Sequence, residues 1–147
     1  MNTTAVELTL QFLQNLDYLH LVTGTSRLLC DTIKGKNLPK RFADEVELAV
    51  SEACTNAIRH AADADAAAMV VVKFRVTETE LVIEVSDPGA GFNFADVPEP
   101  EFDRHPESGY GLYIIRKMMD EVQYARGDKM NTLTLKKYLN IEGDLPL

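Results

Sequence analysis

Apolar residues recur with two different spacings along this chain of 147 residues, and each spacing predicts a different kind of secondary structure. Between residues 40 and 62 the apolar positions fall within one arc at 100° per residue, which predicts an amphipathic helix. In residues 70–76 and in residues 81–86, successive side chains instead alternate between the two faces of a strand. The two segments are joined by a short connection at 77–80, which is the pattern of a β-hairpin. The middle of the chain is therefore predicted to be a helix followed by two antiparallel strands.

The other predicted elements surround this centre, with a break at residues 34–39 where glycine and proline interrupt the chain. In chain order they are a strand at 6–12, a helix at 16–33, a helix at 110–119 and a pair of strands at 122–126 and 132–139. Strands and helices do not alternate in this order. We therefore predict an α+β fold, a two-layer sandwich with a mixed, mostly antiparallel sheet and helices on one face.

The domain organisation follows from length and loop composition. A chain of 147 residues is the size of one domain, so we expect a single domain over 1–147 with a core at about 5–139. The stretch 88–108 is rich in proline and acidic residues and too long for a tight turn, which predicts a lid. Residues 141–147 read as a short tail.

Charge and composition exclude some classes of protein. The net charge of -8 argues against a protein that coats nucleic acid or an anionic membrane. No long apolar run and no basic leader segment is present, so we expect a cytoplasmic protein without a membrane span. Cys30 and Cys54 lack metal-binding or redox spacing and are expected to be free thiols.

The first candidate for chemistry is a polar ridge on the predicted central helix. Glu52, Asn56 and His60 recur every four residues, so a helix places them on one side. In isolation this spacing is more often a solvated helix face than a catalytic one. His60 lies two turns from Glu52 and is expected to pack or to support a neighbour rather than to act as a base.

The second candidate is the segment 87–91, Asp-Pro-Gly-Ala-Gly. Strand alternation places Asp87 at the end of the buried face, where a carboxylate needs a donor such as the adenine amino group. Gly89 and Gly91 permit tight turns and a close approach by a ligand. If no nucleotide binds, we expect the donor to be Thr132 or Thr134 on the last strand.

The third candidate is the segment 109–112, Gly-Tyr-Gly-Leu, at the start of a predicted helix. Free N–H groups there could bind phosphate, although such glycines are also common in ordinary loops. Together the three segments offer what a magnesium–nucleotide complex needs. Asn56 can give an oxygen to Mg²⁺, and Glu52 can accept a proton from an attacking hydroxyl or orient a water.

In this order the segments resemble the ATP-binding fold shared by gyrase, a heat-shock chaperone class, histidine kinases and mismatch-repair ATPases. The closest resemblance is to the bacterial anti-sigma-factor serine/threonine kinases of the RsbW and SpoIIAB type. Residues 50–61 resemble the asparagine box of that subgroup, and 86–92 and 109–115 resemble its two glycine boxes. The likeness extends from about residue 6 to residue 139.

The resemblance implies roles for individual residues. Glu52 would be the catalytic base, Asn56 the Mg²⁺ ligand and Asp87 the adenine contact, with ATP and Mg²⁺ as cofactors. The other residues implied in nucleotide binding are Gly89, Gly91, Gly109, Gly111, Leu112 and Thr132.

The resemblance also implies partners. Kinases of this type bind a sigma factor, phosphorylate a serine or threonine of a small anti-anti-sigma protein of the STAS type, and form homodimers. An alternative is an ATP-binding docking module with little or no kinase activity, against which the intact Glu52 argues. A histidine kinase is disfavoured because no phosphoacceptor helix pair precedes residue 5.

Three positions depart from the pattern of that family. Asn131 precedes Thr132 where a glycine is usual, and His20 stands where some relatives carry an arginine that serves partner binding. Arg27, about two turns further on, could substitute for that arginine. The lid is also short and acidic, so the residue that meets the γ-phosphate remains open.

Overall fold

A computed structural model describes residues 2–91 and 110–139. Its strands are β1 (Thr4–Leu13), β2 (Met69–Thr77), β3 (Glu80–Asp87), β4 (Glu121–Ala125) and β5 (Asn131–Tyr138). Its helices are α1 (Leu19–Asp31), α2 (Phe42–Ala64) and α3 (Tyr110–Met118). Each predicted strand and helix is present, with ends that differ by a few residues. The predicted lid beyond residue 91, Gly109 and the predicted tail lie outside the described residues.

The five strands form one sheet in the order β1-β2-β3-β5-β4, and all of its pairings are antiparallel. The predicted α+β class is confirmed. The last strand along the chain lies inside the sheet, where β5 pairs with β3 and brings Asn131 opposite Asp87. This pairing joins the end of the central hairpin to the beginning of the final strand.

The core lies between the inner face of the sheet and the helices. Alternate residues of β2 and β3 point inward, and Val72, Phe74 and Ile83 are fully buried there. Burial of apolar surface on this scale is the main stabilising contribution to such a fold. Cys30 and Cys54 are free thiols within this core, as predicted, and burial raises their pKa values to about 11 and about 12.

Helix α2 is the structural centre of the helical layer. Its apolar arc packs on β2 and β3, and its two flanks contact α1 and α3. Asp44 and Glu45 lie in its first turn, where carboxylates interact favourably with the helix dipole. Because α3 covers one flank of α2, the beginning of α3 is held against the polar ridge of α2.

One detail differs from the sequence prediction. Residues Leu16–Tyr18, predicted as the first turn of a helix, form a separate 3₁₀ turn in which the Asn15 side chain accepts a hydrogen bond from the Asp17 N–H at 2.9 Å. The capping asparagine thereby satisfies one backbone donor at the start of this turn. Over residues 2–91 and 110–139, no helix is long and apolar enough to cross a membrane.

Candidate functional site

The start of α3 lies directly against the α2 ridge. A Cβ at Gly111 would lie 3.1 Å from Glu52 Oε2 and 3.2 Å from Asn56 Nδ2. These separations are closer than most real side-chain contacts, so glycine is the residue that fits without displacing either neighbour. The first and third candidate segments, more than fifty residues apart in sequence, therefore meet at one point.

The other end of the ridge faces the second segment. His60 Nδ1 lies 3.8 Å from Asp87 Oδ2, and the Asp87 side chain is only 7% exposed. The pKa of His60 is raised above its usual value, mainly by hydrogen bonding to Asp87, while partial burial acts in the opposite direction. Asp87 is thus a buried carboxylate with a histidine beside it.

Gly89 lies between these two side chains. Its N–H donates a 2.8 Å hydrogen bond to Asp87 Oδ1. A Cβ at Gly89 would lie 2.9 Å from both His60 Cβ and the His60 carbonyl oxygen. No larger side chain fits unless α2 or the segment moves, which explains the requirement for glycine.

Gly91 closes the segment with a left-handed backbone, at φ +78°. A Cβ there would lie 2.9 Å from Arg126 Nε and 3.1 Å from Asn131 Oδ1. Glycine is needed on both grounds, because other residues rarely adopt this conformation and the space is occupied. The predicted role of Gly91 in shaping a tight turn agrees with this geometry.

The expected protein donors to Asp87 were wrong. Thr132 Oγ1 instead pairs with Ser86 Oγ at 2.8 Å, while the Gly89 N–H donates to Asp87 Oδ1 and His60 Nδ1 lies 3.8 Å from Asp87 Oδ2. The reason is strand alternation, since Thr132 lies opposite Ser86 and both point to the face of the sheet that Asp87 does not use. Thr134 lies opposite Glu84, further along the strand.

Two residues of the site were missed as contributors to it. Asn131 Nδ2 donates to the Gly89 carbonyl at 2.7 Å, and Arg126 Nη2 donates to the Ala90 carbonyl at 3.1 Å. The sequence contained a signal for Asn131, because alternation in β5 places it on the same buried face as Leu133. Arg126 was predicted as the last residue of the strand at 122–126, but β4 ends at Ala125 and Arg126 follows it, and no sequence pattern assigned it to the site.

Most of the predicted site residues thus fall into two groups, one at each end of the α2 ridge. The group at the α3 end of the ridge consists of Glu52, Asn56 and Gly111. The group at the sheet end consists of His60, Asp87, Gly89 and Gly91. Leu112 is buried beside the first group, the Thr132 hydroxyl bonds Ser86, and Gly109 lies outside the described residues.

The donor set fits a magnesium–nucleotide complex. Within the described ranges there is no cluster of three His, Cys, Asp or Glu side chains that would hold a metal by protein ligands alone. Mg²⁺ typically takes one or two protein oxygens and completes its shell with water and substrate phosphates. One amide oxygen from Asn56, beside the carboxylate of Glu52, matches that pattern.

A separate groove of about 460 Å³ lies between α1 and α2 and is lined in part by His20, Leu48 and Ser51. On its wall, Arg27 pairs with Asp44 at 2.5 Å and with Glu47 at 3.0 Å. These contacts tie Arg27 to α2. The expectation that Arg27 takes over a partner-binding role stays a prediction.

Comparison with known proteins identifies related sequences. Residues 19–137 match the family described as the histidine kinase-like ATPase domain. Two curated relatives named serine-protein kinase RsbW, from Bacillus licheniformis and Bacillus subtilis, are 40% and 36% identical over 107 residues. The match covers 67% of this chain, which spans only 66% of the length of each relative.

Two solved structures are similar in fold. The RsbU and RsbW domains of a Mycobacterium tuberculosis protein superpose with a TM-score of 0.66 at 18% identity, over 92% of this chain and 33% of that one. The histidine kinase domain of a blue-light-activated kinase from Erythrobacter litoralis gives 0.56 at 23% identity, over 84% and 60%. Both likenesses agree with the two-layer fold described above.

Proposed function

Because the chain belongs to the histidine kinase-like ATPase domain family, we propose that it is a protein kinase that uses ATP and Mg²⁺ to phosphorylate a serine or threonine. In this proposal the acceptor is a small anti-anti-sigma protein of the STAS type. The chain also binds a sigma factor as a homodimer, so that phosphorylation of the antagonist controls sigma availability. Support comes from relatives that are named serine-protein kinase RsbW.

The observation that carries the proposal is the line of groups along α2. Gly111 contacts the ridge at Glu52 and Asn56, and Gly89 contacts it at His60. Eight residues of helix separate Glu52 from His60, which is about 12 Å at 1.5 Å per residue. A nucleotide bound along this line has Asp87 at one end, where the carboxylate can accept a hydrogen bond from the adenine amino group. At the other end it has the Glu52 carboxylate and the Asn56 amide.

The chemistry follows from the nature of these groups. Bound with the phosphates, Mg²⁺ neutralises charge that develops on them. Asn56 would hold the metal through its amide oxygen, and Glu52 accepts the proton of the serine or threonine hydroxyl. As that proton leaves, the hydroxyl oxygen bonds to the γ-phosphorus and the bond from phosphorus to the ADP oxygen breaks. The N–H groups at the start of α3 favour anionic oxygens nearby.

The first test is calorimetric titration of the chain with ATP, with and without Mg²⁺. We expect micromolar binding of ATP that both Asp87→Asn and Asn56→Ala abolish. Asp87→Asn removes the carboxylate that accepts a hydrogen bond from adenine, and Asn56→Ala removes the Mg²⁺ ligand. Asp31→Asn at the exposed end of α1 makes the same carboxylate-to-amide exchange away from the site and should bind as the wild type does. A folded wild-type chain that binds no ATP under either condition overturns the proposal.

A further inference from the structure

Both backbone polar groups of Gly89 are held by side chains from facing strands. The Gly89 N–H donates to Asp87 Oδ1 at 2.8 Å, and the Gly89 carbonyl accepts from Asn131 Nδ2 at 2.7 Å. Asp87 ends β3, Asn131 begins β5, and the two are register partners. Asp87 is 5% exposed and Asn131 3% exposed, so both side chains are buried, and the hydrogen bonds that they make to the half-buried Gly89 are only partly exposed to water.

We infer that Asn131 is a positioning residue for nucleotide binding, which holds the loop 87–91 in its ligand-ready shape before ATP arrives. This inference rests on the proposed function, since it concerns the base side of the same site. Asn131 need not contact the nucleotide. It acts through Gly89, which in turn bonds the carboxylate of Asp87.

The rest of the loop is fixed in the same way. Arg126 Nη2 donates to the Ala90 carbonyl at 3.1 Å, and Gly91 fits against Arg126 and Asn131 with no room for a side chain. His60 closes the opposite side of Gly89. Side chains from α2, β5 and the connection after β4 thus surround a loop that contains two glycines.

Pre-ordering of this kind has a thermodynamic consequence. A loop that is already ordered spares the ligand the entropy of ordering it, which strengthens binding without any new contact. Asn131→Ala removes one partly buried hydrogen bond and leaves the Gly89 carbonyl without that donor. Loss of a bond of this type corresponds to roughly a tenfold change in an equilibrium constant.

The test begins with the nucleotide-free protein and uses amide hydrogen exchange read by NMR. In the wild type the Gly89 amide should be protected, and in Asn131→Ala it should exchange about tenfold faster while amides in the middle of α2 keep their rates. Asn15→Ala is the matched control, since it also deletes an asparagine hydrogen bond, in the 3₁₀ turn before α1. An unprotected Gly89 in the wild type, or equal rates in Asn131→Ala, overturns the inference.

The second measurement separates positioning from general structural damage. In Asn131→Ala the Kd for ATP with Mg²⁺ should rise about tenfold, whereas the Kd for tripolyphosphate with Mg²⁺, which lacks a base, should stay within about twofold. Arg126→Gln, an exposed substitution, should give a smaller change of the same kind. An unchanged Kd for ATP overturns the positioning role, and so does equal weakening of both ligands.

The two proposals fail in different ways. If the wild-type chain binds no ATP, the proposed function fails and no nucleotide is left for Asn131 to serve. Hydrogen exchange still decides whether Asn131 holds the loop. If ATP binds and Gly89 exchanges freely, the proposed function stands and the inference about Asn131 is wrong.

Discussion

His60 Nδ1 lies 3.8 Å from Asp87 Oδ2, so the last member of the α2 ridge faces the carboxylate proposed to bind the base. His60 was predicted to pack or support a neighbour, and this contact with Asp87 gives it a partner within the candidate site. The Asp87 carboxylate raises the pKa of His60, with a smaller effect of the same sign from Asp63. The pair therefore couples the helix to the end of β3 in a way that depends on pH.

The pH dependence has a definite sign. Because the folded protein raises the pKa of His60 above its usual 6.5, the pair stabilises the fold fully below that pH, and the stabilisation is lost as pH rises through the higher folded value. The difference in free energy of unfolding between the wild type and His60→Gln should therefore shrink from about pH 5.5 to about pH 8.5. Urea denaturation across this range measures it.

A double-mutant cycle is the control for this prediction. In an Asp87→Asn background, the same His60→Gln substitution should lose most of its pH dependence, because the charged partner is gone. A difference that is flat with pH in the wild-type background would show that His60 and Asp87 do not interact in solution as they do here.

Gly111 offers a test in which stability and activity separate. Alanine is a better helix former than glycine by about 1 kcal/mol, so Gly111→Ala should not lower the unfolding free energy greatly. A methyl group 3.1 Å from Glu52 Oε2 must nevertheless displace that side chain or Asn56. We expect phosphotransfer to fall about tenfold or more, since small misplacements of reacting groups are costly.

Gly24 in α1 provides the matched substitution. A Cβ at Gly24 meets nothing within 4 Å, so Gly24→Ala should stabilise the protein by up to about 1 kcal/mol and leave phosphotransfer unchanged. Thermal unfolding and a kinase assay on both variants compare the two glycines. Equal activity in Gly111→Ala and Gly24→Ala would contradict the packing of α3 on the ridge.

Lys137 is a buried cation that holds α3 in place. Its Nζ donates to the Met118 carbonyl at the end of α3 at 2.5 Å and lies 3.7 Å from Glu45 Oε1. Lys137→Met keeps the apolar stem but leaves that helix end without its donor, so we expect a loss of about 2 kcal/mol in unfolding free energy. Lys136→Met, on the opposite face of β5, should cost much less. Equal urea midpoints for the two variants would contradict the prediction.

Local sequence pattern was enough to predict the helices and strands, because the spacing of apolar residues that defines each one is visible within a short stretch of sequence. The alternation at 70–76 and 81–86 predicted β2 and β3, and the helical arc at 40–62 predicted α2 to within two residues at each end. The pairing of strands that are distant in sequence produces no such pattern. The order of the sheet, with β5 between β3 and β4, could not be predicted from periodicity.

For the candidate site, too, local pattern predicted some features, while others depend on how distant strands pair. Ridge spacing and buried-face alternation identified Glu52, Asn56 and Asp87 as groups to be brought together. The role of Asn131 depends on the register between β3 and β5, which sequence alone does not supply. The donors to Asp87 were misassigned for a different reason, because alternation within β5 already places Thr132 on the face opposite to that of Asn131.

The kinase account depends most directly on one carboxylate. The decisive measurement is transfer of labelled γ-phosphate from ATP to serine or threonine of each STAS-type protein encoded in the same genome, by the wild type, Glu52→Gln and Glu78→Gln. Glu78, in the exposed turn between β2 and β3, controls for the loss of one negative charge.

We predict that wild type and Glu78→Gln label one such protein, and that Glu52→Gln binds ATP normally but labels it about 10²- to 10⁴-fold more slowly. Transfer by Glu52→Gln at the wild-type rate would contradict the role of Glu52 as the base. ATP binding without transfer to any of these proteins by the wild type would contradict the kinase assignment and leave an ATP-dependent docking module.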